Sequence, residues 1–94
     1  MAKTIQIPAQ ISGDHGDKHY RVNEGEVLTI EFPLAGLFAT SGDTTAFDPA
    51  LESCEINQGD PPKSYTAGQY PADVGYYFLV SGSTRKEKGD IQIE

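Results

Sequence analysis

The 94-residue chain has no tryptophan, one cysteine and one methionine, and only seven lysines and arginines stand against fourteen aspartates and glutamates. Each scarcity excludes something. Cys54 is the only cysteine, so an internal disulfide is impossible, and small domains built for oxidising compartments usually carry several. That points to the cytosol, or to a virion assembled there, although a mature exported form numbered from an added Met would look the same. A formal charge of -7 repels phosphate backbones and anionic lipid, so neither nucleic acid nor a membrane is an expected partner. MAKTIQIPAQ lacks the apolar run of a secretory signal or a membrane span. No nucleotide-binding loop occurs, and no nucleophile, base and orienting group can be proposed together, so neither an enzyme nor a bound cofactor is expected.

What is present is punctuation. Ten glycines and six prolines are spread along the chain, cutting it into short segments without repeats. Residues 1–94 read as one domain, and a chain this short buries only about 60–65% of its unfolded surface, which leaves no room for a large internal site. Lys3 to Ile7 alternates with Ile5 and Ile7 inward, and Glu26 to Phe32 alternates with Leu28, Ile30 and Phe32 inward. Tyr76 to Ser81 is apolar or aromatic on both faces, as in an interior strand, and Asp90 to Glu94 alternates again with Ile91 and Ile93 inward. Weaker strands are expected at His19 to Val22, Leu51 to Ile56 and Ser64 to Ala67, with a turn of helix within Phe47 to Ser53 after Asp48-Pro49. About seven short strands with turn signals between them predict an all-β chain folded as a β-sandwich.

Residues 75 to 94, GYYFLVSGSTRKEKGDIQIE, resemble the last two strands of the cupredoxins. There G-x-Y leads through a strand into a loop C-x-x-H-x-x-M-x-G, in its shortest, amicyanin-like form, and then into an alternating terminal strand. Gly75, Tyr77, Ser81, Thr84, Glu87 and Gly89 fill that frame without a gap. Upstream, RVNEGEVLTIEF is similar to the family segment V-x-x-G-x-x-V-T-I, with Val22, Gly25 and Leu28 to Ile30 in the matching places. The resemblance implies a Greek-key sandwich without the family's metal. Blue copper takes a thiolate, two imidazoles and a weak axial ligand, whereas Ser81, Thr84 and Glu87 occupy the frame and PLAGLFATSG supplies no histidine. Residues 73 to 79, DVGYYFL, also resemble the D-x-G-x-Y-x-C signature of immunoglobulin-like domains. That second resemblance implies Phe32 and Leu79 in place of the disulfide and Tyr77 as a structural tyrosine tied to backbone. Both families are Greek-key β-sandwiches, and the choice between them stays open at this point.

Candidate chemistry is sparse. Asp14, His15, Asp17 and His19 in SGDHGDKHY carry zinc- or nickel-type donors, but Asp and Gly are also what a turn prefers, and no metal is expected. Cys54 in LESCEI reads as a small buried hydrophobe whose neighbours Glu52 and Glu55 raise its thiol pKa. Asp43 with Asp48 and Glu24 with Glu26 read as solvated turn and strand carboxylates. Tyr65, Tyr70, Tyr76 and Tyr77 are candidates for a binding face, with Tyr76 and Tyr77 on opposite sides of one strand. Arg85, Lys86 and Lys88 in STRKEKG form the only basic spot, expected at a hairpin tip that docks on an acidic surface, another copy of the chain included.

The expected class is therefore a non-catalytic structural or interaction module, with a protein partner or its own copies as its contacts. As a compact sandwich with an early strand and no expected leader, disulfide or site, it is similar in these respects to small accessory or decoration proteins of phage virions. The alternatives are a cupredoxin-related metal or redox carrier using His15 and His19, and an immunoglobulin-like inhibitor or adhesin presenting a loop over residues 33 to 49.

Overall fold

The computed structural model describes residues 2–7, 18–69, 71–84 and 86–94. These residues form β1 (Ala2–Gln6), β2 (Lys18–Val22), β3 (Val27–Glu31), β4 (Gly36–Gly42), β5 (Phe47–Asp48), β6 (Cys54–Ile56), β7 (Lys63–Ala67), β8 (Ala72–Val80) and β9 (Lys86–Ile93), with one 3-10 turn at Thr44–Ala46. The chain is all-β and its strands lie in two sheets, a β-sandwich: four strands in the order β1-β3-β7-β5 and five in the order β2-β9-β8-β4-β6. Among the described residues only β8 and β9 follow one another within a sheet; every other pair of successive strands lies in different sheets. β1 runs parallel to β3 and β2 parallel to β9, and the remaining pairs are antiparallel.

Period-2 alternation is what creates the two layers. Ile5, Leu28, Ile30 and Tyr65 face inward from the four-stranded sheet; Val22, Phe38, Val74, Tyr76, Phe78, Ile91 and Ile93 face inward from the five-stranded sheet, and all belong to one contiguous core. Aromatic rings tie its middle together. Phe32 meets Phe38 edge-on at 5.2 Å and Phe78 at 5.8 Å, and Phe38 meets Tyr76 at 5.8 Å, within the range in which ring pairs attract beyond their buried area.

Three segments depart from the sequence expectation. Gly36–Gly42 is an interior strand rather than part of a presented loop, paired to β8 along its whole length and to β6 at its start. Its alternation is thin because Gly36, Ala39, Ser41 and Gly42 give it few apolar side chains. The helical turn within Phe47 to Ser53 is absent: the 3-10 turn precedes it, Phe47–Asp48 pairs with β7, and the Asp48-Pro49 peptide is cis. Finally, the strand expected over Leu51 to Ile56 shrinks to Cys54–Ile56. The Ser53 hydroxyl accepts the Thr40 N–H at 2.8 Å and the Thr40 hydroxyl donates to the Leu51 carbonyl at 2.7 Å, so side chains replace ladder bonds there.

Two glycines let strands approach closely. A Cβ on Gly89 would stand 2.1 Å from the Lys18 carbonyl oxygen of β2, and one on Gly36 would stand 2.3 Å from the Leu79 carbonyl oxygen. Gly89 sits at the outermost β2–β9 pair and Gly36 at the inner β4–β8 pair of the five-stranded sheet.

Candidate site on the outer face of the five-stranded sheet

β8 is the central strand of its sheet, and its parity decides which tyrosine is exposed. Val74 pairs with Ile91 and Ala72 with Ile93, which turns 72, 74, 76 and 78 toward the core and 73, 75, 77 and 79 toward solvent. Tyr76 is 4% exposed and Tyr65 6%, which corrects the expectation that these two lie on a binding face. Tyr77 is 37% exposed and Leu79 36%. This also corrects the roles implied by the immunoglobulin resemblance: Leu79 does not face Phe32 in the core, Phe78 does, and Tyr77 is on the surface.

The outward side chains line up in rows across the sheet. Glu55 on β6 is opposite Leu37 on β4, Leu37 is opposite Leu79 on β8, and Leu79 is opposite Lys86 on β9. One step along, Ala39 is opposite Tyr77 and Tyr77 opposite Lys88. In the next row Ser41, Gly75, Asp90 and His19 follow one another. Leu37, 40% exposed, thus sits beside Leu79 and diagonal to Tyr77, and Lys86 Nζ lies 5.0 Å over the Tyr77 ring as a cation–π contact. Ala39, Ser41 and Gly75 are small, and they leave a shallow depression of about 460 Å³ bordered by Tyr77, Lys88 and the Asp90–His19 pair.

Lys86 and Lys88 therefore do not sit at a hairpin tip. They belong to β9, whereas the turn occupies residues 81 to 84, where the Ser83 N–H bonds to the Val80 carbonyl at 3.1 Å. His19 on β2 is exposed, its Nδ1 2.6 Å from Asp90 Oδ1, and Gln92 Nε2 donates to Asp90 Oδ2 at 2.9 Å. Asp14, His15, Asp17, Tyr70 and Arg85 lie outside the described residues. Among the described residues no three histidine, cysteine or acidic side chains gather as metal donors would, and no helix is long and apolar enough to cross a membrane.

Beneath this face is a group that the sequence reading noted only as a replacement for a copper ligand. Glu87 is 1% exposed and points inward from β9, and the Tyr76 hydroxyl donates to its Oε2 at 3.1 Å. Tyr20 stacks on Tyr76 with ring centroids 6.4 Å apart. Burial first, then the Glu87 carboxylate, push the Tyr76 hydroxyl pKa far up, and the same two causes raise that of Tyr20. Ser81 and Thr84, which the cupredoxin frame sets with Glu87, are exposed in the turn, so the fold does not bring the three together. Alternation through KEKGDIQI was the available signal, since it puts Glu87 on the same side as Ile91 and Ile93.

The remaining sequence candidates are structural. Cys54 is half-buried against the core, and burial first raises its thiol pKa, with Asp60, not Glu52 or Glu55, adding to the rise and Lys63 opposing it. Asp43 accepts the Asp73 N–H at 3.0 Å and so ties the end of β4 to β8, and Glu26 accepts the Asn23 N–H at 2.9 Å within a turn.

Compared with known protein families, with curated proteins and with solved structures, the chain matches none.

Proposed function

We propose that the protein is a non-catalytic protein-interaction module, an accessory component of a larger assembly of the phage-virion kind, which docks through the outer face of its five-stranded sheet. One observation carries the reading. Of the four large apolar side chains exposed among the described residues, Leu37, Tyr77 and Leu79 lie side by side on this face. Single exposed apolar residues are ordinary, but a contiguous group with a charged rim is the composition of a contact surface. The rim here is Lys86 and Lys88 on one side and Glu55 on the other, so the partner offers an apolar centre and at least one acidic group.

The architecture behind this reading is a Greek-key sandwich of the cupredoxin-like rather than the immunoglobulin-like kind. The constant-type immunoglobulin frame consists of two antiparallel sheets. Parallel pairing of β1 with β3 and of β2 with β9, together with strand connections that pass from sheet to sheet, supports the former.

The test compares the two outer faces. The chain is immobilised and exposed to extract or particles from its source, and so are Leu79→Glu on the five-stranded sheet and Thr29→Glu on the four-stranded sheet. Retained protein lost with Leu79→Glu and kept with Thr29→Glu is the expected result. Equal retention by both, with folding verified by circular dichroism, overturns the reading.

A further inference from the structure

The outer face of the five-stranded sheet is complementary to itself. Its leading row reads acidic, apolar, apolar, basic: Glu55, Leu37, Leu79, Lys86. A two-fold axis laid along the strands, between β4 and β8, reverses the order of a row while keeping its height. The row then faces Lys86, Leu79, Leu37 and Glu55 of a second copy. Each acid meets a base and each leucine meets a leucine. The neighbouring row behaves in the same way, because Ala39 is opposite Tyr77 within the sheet and would face Tyr77 across the axis. The large side chain of one copy is thereby presented to a small side chain of the other. It arrives beside the depression that Ala39, Ser41 and Gly75 leave open.

We infer that the occupant of this face is a second copy of the chain, packed sheet to sheet as an isologous dimer with Tyr77 of each copy seated in the depression of the other. The inference rests on the reading of this face as the docking surface and names its partner. Closed two-fold pairing requires a patch that satisfies itself, and the alternation of charge and size along two successive rows is that property. Charge at the face agrees. The chain carries -7 overall, but on this face outward-facing Arg21, Lys86 and Lys88 offset all but one of Glu55, Asp73, Asp90 and Glu94, the last paired with Arg21 at 3.4 Å, so the repulsion between two acidic copies is reduced on this side. Packed sheets keep their strand directions within about 30° of each other, which an axis along the strands allows.

Size sets the strength. Four strands about 4.8 Å apart and about 20 Å long give a footprint on the order of 400 Å², below the roughly 800 Å² per partner of a standard stable interface. The dimer is accordingly weak, and it forms where copies are concentrated or held side by side on an assembly.

Sedimentation velocity on the full chain, up to about 1 mM to match a weak interface, tests the inference. The wild type shifts from monomer to dimer with concentration. Glu55→Lys alone and Lys86→Glu alone each weaken dimerisation by about tenfold or more, because either one sets like charges opposite each other at both symmetric contacts. An equimolar mixture of the two single variants recovers the dimer, and so does the double variant. Ala39→Lys, which fills the depression, leaves a monomer. A wild type that stays monomeric over the whole range overturns the inference, and so do charge swaps that leave self-association unchanged or a mixture that fails to recover it. If the dimer fails while Leu79→Glu still abolishes retention of another protein, the docking face stands with a different occupant. If both fail, both readings fall.

Discussion

The two sheets present outer faces of opposite character on the same pleated backbone. On the four-stranded sheet the outward row is Thr4, Thr29 and Ser64, and the Thr29 and Ser64 hydroxyls bond to each other at 3.1 Å. Its large apolar exception, Val27, stands between Ala2 and Thr66. The five-stranded sheet fills the equivalent positions with Leu37, Leu79 and Tyr77 between charged edges. Hydroxyl rows satisfy themselves sideways and leave the face to water, whereas a leucine pair with an aromatic neighbour stays wet at a cost that contact with another surface removes. Sheet position thus separates a face lined by hydroxyls from one with an apolar centre and a charged rim.

The largest expected effect breaks the comparison by dismantling one face. Gly89→Ala forces a Cβ to within 2.1 Å of the Lys18 carbonyl oxygen, so β2 must part from β9. The loss is about 3 kcal/mol of stability, read from the urea midpoint, with amide exchange accelerating first in β2.

Next in size is a contrast between adjacent tyrosines. Tyr76→Phe removes the hydroxyl that donates to buried Glu87 and costs about 1–3 kcal/mol. Tyr77→Phe, on the outside, changes stability by less than about 0.5 kcal/mol. Equal losses in the two variants would show that β8 does not divide inside from outside as described.

Alkaline pH examines the core that both faces share. Burial pushes the Tyr65 hydroxyl up to about 12 and raises Tyr76 as well. Because the folded values lie above the unfolded one of about 10, the unfolded chain loses these protons first. Stability is therefore fully present below about pH 10 and declines as pH rises toward about 12. Urea midpoints across that window fall less steeply in Tyr65→Phe.

The smallest effect sharpens the difference from the hydroxyl side. Thr29→Ala loses one cross-strand pair, about 0.2–1 kcal/mol, and leaves association through the other sheet unchanged in sedimentation velocity.

How much of this was legible depended on whether one face of a strand stays apolar. Leu28 with Ile30, and Ile91 with Ile93, announced their strands and their inward sides correctly, because alternation there is strict. β8 was legible as an interior strand but not in its parity. VGYYFLV carries apolar or aromatic residues at both parities, and only pairing with β9 reveals that Tyr76 and Phe78 are inside. The same ambiguity let both family frames fit with Tyr77 in a structural role and let the immunoglobulin-like frame put Leu79 in the core. β4 escaped notice because its inward positions include Gly36. The outer face of the five-stranded sheet was half legible: Lys86 and Lys88 stood out as the basic spot, but their apolar neighbours come from β4 and β8, which no local pattern links.

Among the described residues successive strands lie in different sheets at every step but one, and this shapes how the fold is reached. Among the described residues the β8–β9 hairpin is the sole pairing made by consecutive strands within a sheet, and hairpins of this kind close within about 1–10 μs. All the others wait for distant partners, down to Lys18 finding Gly89, and domains dominated by such pairings fold in milliseconds to seconds. During synthesis β2 emerges early and has no sheet to join until β9 leaves the ribosome. Its KHYRV segment has no strand partner over that interval, and it carries in Lys18 and Arg21 the kind of charged side chains that discourage edge-to-edge pairing.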